Sequence, residues 1–214
     1  MRDYLKTIEL ILLIFNVIAY FKVCKSNDTN FKVFTIYLFL MLVINIHSGY
    51  LFHYSIPNLF LSHYYFLIQF VFLSCFYYNL FDNKNIKKGI LITGVTVVSC
   101  ISMYYIYNPK IYFKFNLFEI VLSSIPLIIY SVLYIFISLL EEKKYFYINC
   151  GIFIYLISST LFFVSGNYLA TIDKSIIKII WLVNMIIYII YQLLITVEWF
   201  VNYRVNKSKK IAYE

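Results

Sequence analysis

Three histidines, His47, His53 and His63, together with Glu9 and Glu119 inside apolar runs, are the residues of this chain best equipped to do chemistry. Imidazole and carboxylate exchange protons, bind polar ligands and ligate metals, and an ionisable group at membrane depth is costly enough to mark a proton site, an ion path or a ligand pocket. His47 and His53 are six residues apart in the chain. That spacing is about 240° round an undistorted helix, so the two cannot point into one site. His53 and His63 straddle the turn 55–58 and make the better pair. The candidate ligand or proton site is therefore His53, His63, Glu119 and Glu9, with no metal and no cofactor assigned. The competing reading leaves all four hydrated at headgroup level.

The elements that must position these groups are hydrophobic. Of 214 residues, 63% are hydrophobic and 13% charged, with mean hydropathy +0.81. A water-soluble domain of this size could not carry such a composition on its surface, so the main solvent is lipid. A span needs about 20 apolar residues, which divides the chain into roughly seven. The expected fold is all-α, a polytopic membrane bundle with helices near 4–24, 31–54, 59–81, 89–107, 117–140, 145–166 and 176–203. They form a single transmembrane domain over 1–214, with a basic tail at 204–214. The first run follows Arg2 and Lys6 in the manner of a signal peptide, but it lacks a small-x-small cleavage site and reads as an uncleaved helix.

Polar residues inside these runs, Asn16, Asn45, Gln69, Asn184 and Gln192, are expected to face the bundle interior, because acyl chains offer no hydrogen bonds. In the last run, Trp181, Asn184, Tyr188, Tyr191 with Gln192, Thr196 and Glu198 with Trp199 recur at three- and four-residue steps and form a packing seam. Pro126 removes a backbone hydrogen bond in mid-helix and is expected to kink the fifth helix, with Ser123 and Ser124 compensating in part. Of the 18 basic residues, Arg2, Lys6, Lys110, Lys114, Lys174 and Lys178 fall at one set of helix ends, and the other twelve fall at the opposite set. The excess places the C terminus in the cytosol of a bacterial inner membrane and the N terminus outside, with Arg204, Lys207, Lys209 and Lys210 in the cytosolic tail.

The net charge of +8 comes mostly from lysines between apolar runs, a distribution that suits helix anchors and excludes nucleic acid as a partner. Cys24, Cys75, Cys100 and Cys150 fall one to a helix or helix end without CxxC spacing, and read as buried, reduced thiols. No HExxH, GxSxG, phosphate-cradling glycine loop or DxxD pair occurs, so no enzyme is expected. Lys178 stands near a helix end, which does not suit a retinal Schiff base.

The segments Tyr145-Phe-Tyr-Ile-Asn-Cys-Gly-Ile-Phe-Ile-Tyr155-Leu-Ile-Ser-Ser-Thr-Leu-Phe-Phe163 and Trp181-Leu-Val-Asn184-Met-Ile-Ile-Tyr188-Ile-Ile-Tyr191 resemble uncharacterised bacterial seven-helix sensor-like membrane modules. Some of these precede histidine-kinase domains. Here only four residues follow Lys210, so the resemblance implies a stand-alone sensory module with a separate effector. The leading expectation is a non-enzymatic, receptor-like signalling module. Its partners would be the lipid bilayer, a cytosolic protein at the tail and a second copy in a homo-oligomer. A small transporter or ion channel is the alternative, and a membrane-permeabilising effector of a bacterial defence system is a third.

Overall fold

The computed structural model describes residues 2–23, 28–141, 143–169 and 174–201. Among the described residues there are seven long helices and no strand: α1 (Arg2–Val23), α2 (Thr29–His53), α3 (Phe60–Leu80), α4 (Lys84–Tyr107), α5 (Leu117–Leu140), α6 (Phe146–Leu169) and α7 (Lys174–Trp199). A short 3-10 turn, Pro109–Phe113, joins α4 to α5. Each of the seven holds a stretch long and apolar enough to cross a bilayer, with mean hydropathy between 1.4 and 2.4. Their outward faces are apolar as well, since Val95, Ile106 and Leu139 are 70%, 74% and 70% exposed. An exterior of this kind is matched to acyl chains rather than to water and fits a multi-pass membrane bundle.

Short polar side chains start the helices where the apolar runs alone do not show it. Asp28 Oδ1 accepts from the backbone N–H of Asn30 at 3.0 Å and of Phe31 at 3.3 Å, capping α2. Asn83 does the same for α4, accepting from Asn85 at 2.8 Å and Ile86 at 3.4 Å. That cap lets α4 begin at Lys84 rather than at residue 89, so Lys84, Lys87 and Lys88 form its first turns instead of a loop. At the far end of α2, Ser55 takes φ 57° while its N–H reaches Phe52 O and the Ile56 N–H reaches Leu51 O. This is a Schellman stop, followed by Pro57, which cannot continue the helix. Asn58 Nδ2 then donates to both oxygens of Ser48 and fastens the turn.

The chain divides into two compact units. One runs from Ser26 to Leu127 and holds α2, α3, α4, the 3-10 turn and the first half of α5. Its core is aromatic: Phe31, Phe34, Tyr37, Phe70, Phe76 and Tyr77 are buried, and Phe34 meets Phe76 at 5.3 Å in the α2–α3 hairpin. The other unit joins α1 to the second half of α5, α6 and α7. In it Gly151 of α6 lies so close to α7 that a Cβ would stand 2.8 Å from Tyr191 Cδ2, and Tyr155 stacks on Tyr191 at 5.3 Å. The many Tyr and Phe residues thus serve helix packing in both units.

Pro126 lies within the continuous helix α5. The hydroxyl of Ser123 donates to the carbonyls of Glu119 and Ile120, not to the Leu122 carbonyl that the proline leaves without its helical donor. Cys75 and Cys100 are free thiols on the exposed face of their helices rather than buried, and Cys150 is half-buried.

Candidate functional site

Within the unit 26–127 the structure brings His63 of α3 and Glu119 of α5 together, with Nδ1 2.7 Å from Oε2. Both are buried: His63 is 7% exposed and Glu119 1%. Their positions follow from local rules. His63 is one turn into α3 on the face that continues as Phe66 and Phe70, and that face is buried along the helix. Asn116 caps α5, its Oδ1 accepting from the N–H of Phe118 at 3.1 Å and of Glu119 at 3.5 Å. Asn116-x-x-Glu119 is a capping-box pattern, in which the glutamate usually turns back to the cap. Here its carboxylate bonds to His63 and Tyr105 instead.

Tyr105 of α4 and the 3-10 turn complete the site. The Tyr105 hydroxyl donates to Glu119 Oε2 at 2.5 Å, lies 2.7 Å from His63 Nδ1, and accepts from Asn116 Nδ2 at 3.2 Å. His63 Nε2 lies 3.0 Å from the carbonyl oxygen of Tyr112. The Tyr112 ring covers the imidazole at 5.6 Å and stacks on Phe60 at 6.1 Å, and its hydroxyl pairs with Tyr64 at 3.0 Å. That last bond holds the Tyr112 hydroxyl above the usual phenol range.

Hydrogen-bond accounting limits the protonation states of this cluster. A carbonyl oxygen only accepts, so Nε2 carries a hydrogen toward Tyr112. With the Tyr105 hydrogen committed to Oε2, the 2.7 Å contact between Nδ1 and Oε2 requires one more proton. That proton sits either on nitrogen, giving an ion pair, or on oxygen, giving a neutral pair, and it belongs to the pair rather than to one residue. Its loss leaves one of the contacts with two acceptors facing each other.

The remaining candidates lie elsewhere. His53 is exposed, its ring edge-on to Tyr54 at 5.2 Å, and His47 is exposed on α2. Glu9 is half-buried on α1, which belongs to the other unit. Asn45 is exposed and donates to Met41 O of its own helix at 2.9 Å. Gln69 is buried, with no hydrogen-bond partner for its Nε2. Asn184 is half-buried, and its Oδ1 likewise has none. Arg204, Lys207, Lys209 and Lys210 lie outside the described residues. No group of three or more His, Cys, Asp or Glu fit to hold a metal occurs among the described residues.

Asn16 and Gln192, 176 positions apart in sequence, meet in the other unit. Asn16 Nδ2 donates to Gln192 Oε1 at 2.8 Å and to Gln192 O at 2.9 Å, while its Oδ1 accepts from Thr196 at 2.8 Å. Nearby, Tyr20 donates to Ile195 O. In the same unit Glu198, fully buried near the end of α7, accepts from the N–H of Tyr145 at 2.8 Å, Tyr147 at 2.9 Å and Ile148 at 3.4 Å. It is an N-terminal cap for α6 supplied from another helix. The sequence alone does not bring Tyr105, Asn116 and Tyr112 into the site, and it places Glu198 in a packing seam rather than at the start of α6. The Asn116-x-x-Glu119 spacing was the one local signal available, and it marks a helix start rather than a partner. Comparison of this chain with models of protein families, with curated proteins and with solved structures gives no match.

Proposed function

We propose that this chain is a receptor-like, non-enzymatic signalling module of the bacterial inner membrane. Its responsive site is the His63–Glu119 pair, and its basic tail, at 204–210, meets a cytosolic partner. The observation that carries this reading is the buried imidazole–carboxylate contact closed over by the 3-10 turn. An ionisable pair among apolar helices is expensive to keep and suits a site whose charge or proton content changes with its surroundings. The titratable groups facing His63 are Glu119 from α5, Tyr105 from α4 and Tyr112 from the turn. When the shared proton leaves, the imidazole keeps one hydrogen for two acceptors, Glu119 and the Tyr112 carbonyl. Releasing the carbonyl frees the turn, and this links proton content to the conformation of 109–113.

Hydrogen exchange of the amides in 109–113, followed against pH on the full chain in nanodiscs, tests this. Exchange is expected to rise as pH rises and the pair gives up its proton. In Glu119→Gln the introduced amide can donate to Nδ1 at any pH, so Nε2 stays with Tyr112 and the turn should remain protected throughout. Wild-type exchange that does not change with pH overturns the reading.

Gln69 favours a transporter or channel as the second reading. Its buried Nε2, six residues along α3 from His63, would be satisfied by a passing water or anion. Ion flux in liposomes that Gln69→Leu abolishes would replace the receptor reading.

A further inference from the structure

The outer face of α5 carries a groove that the protonation site does not use. Phe118, Val121, Leu122, Ile125 and Pro126 line it without a polar atom, and Phe118 and Ile125 are 45% and 47% exposed. These residues share one side of the helix. Glu119, Ile120, Ser123 and Leu127 occupy the buried side. Pro126 ends the groove, about 12 Å along the axis from Phe118, a length that takes the upper part of an acyl chain.

Above the groove the chemistry changes over a few residues. Lys110 in the 3-10 turn and Lys114 just after it are exposed, with no anionic residue anywhere in 108–118. Tyr107, before the turn, and Phe113, at its end, are also exposed. Exposed aromatics with lysines at the end of an apolar helix mark headgroup level. The segment with these two lysines leads straight into α5, whose first turns carry the apolar furrow. An amphiphile with a negative head and a hydrocarbon tail matches both halves at once, whereas a soluble anion would leave the furrow uncovered.

We propose that the turn 109–114 and the outer face of α5 form a binding site for an anionic phospholipid. Its phosphate lies against Lys110 and Lys114, and one acyl chain runs along Phe118, Leu122 and Ile125. The lipid site does not rest on the signalling reading of His63 and Glu119, since Glu119 lies on the buried side of α5, but it shares the turn 109–113 with that pair through the Tyr112 carbonyl.

Native mass spectrometry of the full chain, extracted from bilayers of equal phosphatidylglycerol and phosphatidylcholine, reads this out. Retained phosphatidylglycerol is expected to exceed phosphatidylcholine about tenfold, the order of effect that one or two surface lysines have on an anionic lipid. Lys110→Gln with Lys114→Gln should abolish the preference, and the two Lys→Arg changes should keep it. Ile125→Trp, which fills the groove while leaving the lysines, should lower retention of both lipids. Glycerophosphoglycerol, which has the head without the tails, should not compete. Equal retention of the two lipids, a preference that survives the Lys→Gln pair, or competition by the tail-free head would each overturn the proposal.

Discussion

Glu119 and Glu198 are both buried carboxylates in apolar helices, yet they hold different kinds of partner. Glu198 accepts from backbone N–H groups at the start of α6, and those donors cannot change their proton content. Glu119 faces an imidazole and a phenol, both of which can. The first arrangement is a fastening that satisfies three amides at the start of α6. The second is a site with more than one proton inventory, each drawing a different set of hydrogen bonds. Burial and charge type therefore do not distinguish a structural acid from a responsive one. On the proposed reading, the titratability of the hydrogen-bond partners does.

The contrast can be broken most strongly at the fastening. Glu198→Ala should cost about 3 kcal/mol by leaving buried N–H groups at α6 unpaired, measured by thermal or denaturant unfolding in detergent. Glu198→Gln should still cost about 2 kcal/mol, because an amide NH₂ then faces a backbone donor. Loss of less than half of these amounts would mean that α6 finds its cap elsewhere. The neutral contact between α1 and α7 offers an intermediate case. Asn16→Leu removes three side-chain hydrogen bonds. It should cost about 1 kcal/mol, in line with the modest worth of polar contacts between apolar helices. That cost should not vary with pH, because amides and hydroxyls do not titrate in the accessible range. The smallest effect on stability is expected at the His63–Glu119 pair. Glu119→Gln should change unfolding by no more than about 0.5 kcal/mol near neutral pH, since the amide can serve both His63 and Tyr105. A cost equal to that of Glu198→Gln would make Glu119 a fastening too and erase the distinction.

Much of the helical layout was legible in the chain. Seven apolar runs of bilayer length lie in the sequence itself, and the polar turns between them announce where each ends. The start of α4 was misplaced because hydropathy sees Lys84, Lys87 and Lys88 as loop. The Asn83 cap, a one-residue signal, draws them into the helix. Of the candidate site, His63 and Glu119 were singled out by charge in an apolar setting. His53 was paired with His63 on proximity across the turn 55–58, but the two rings part: His53 is exposed and His63 is buried. A turn brings backbones together without setting which way the flanking helices rotate.

The sequence by itself determined the number and approximate extent of the helices and the apolar nature of their exterior. Hydrophobic run length and capping are local quantities, summed over one stretch of chain. Which polar groups meet was decided only in the tertiary structure. His63, Tyr105, Tyr112 and Glu119 come from three helices and a turn, and Glu198 reaches the start of α6 from the end of α7. Such meetings depend on helix rotation and on packing contacts such as Gly151 against Tyr191, spread over distant parts of the chain. No short window of sequence contains both partners.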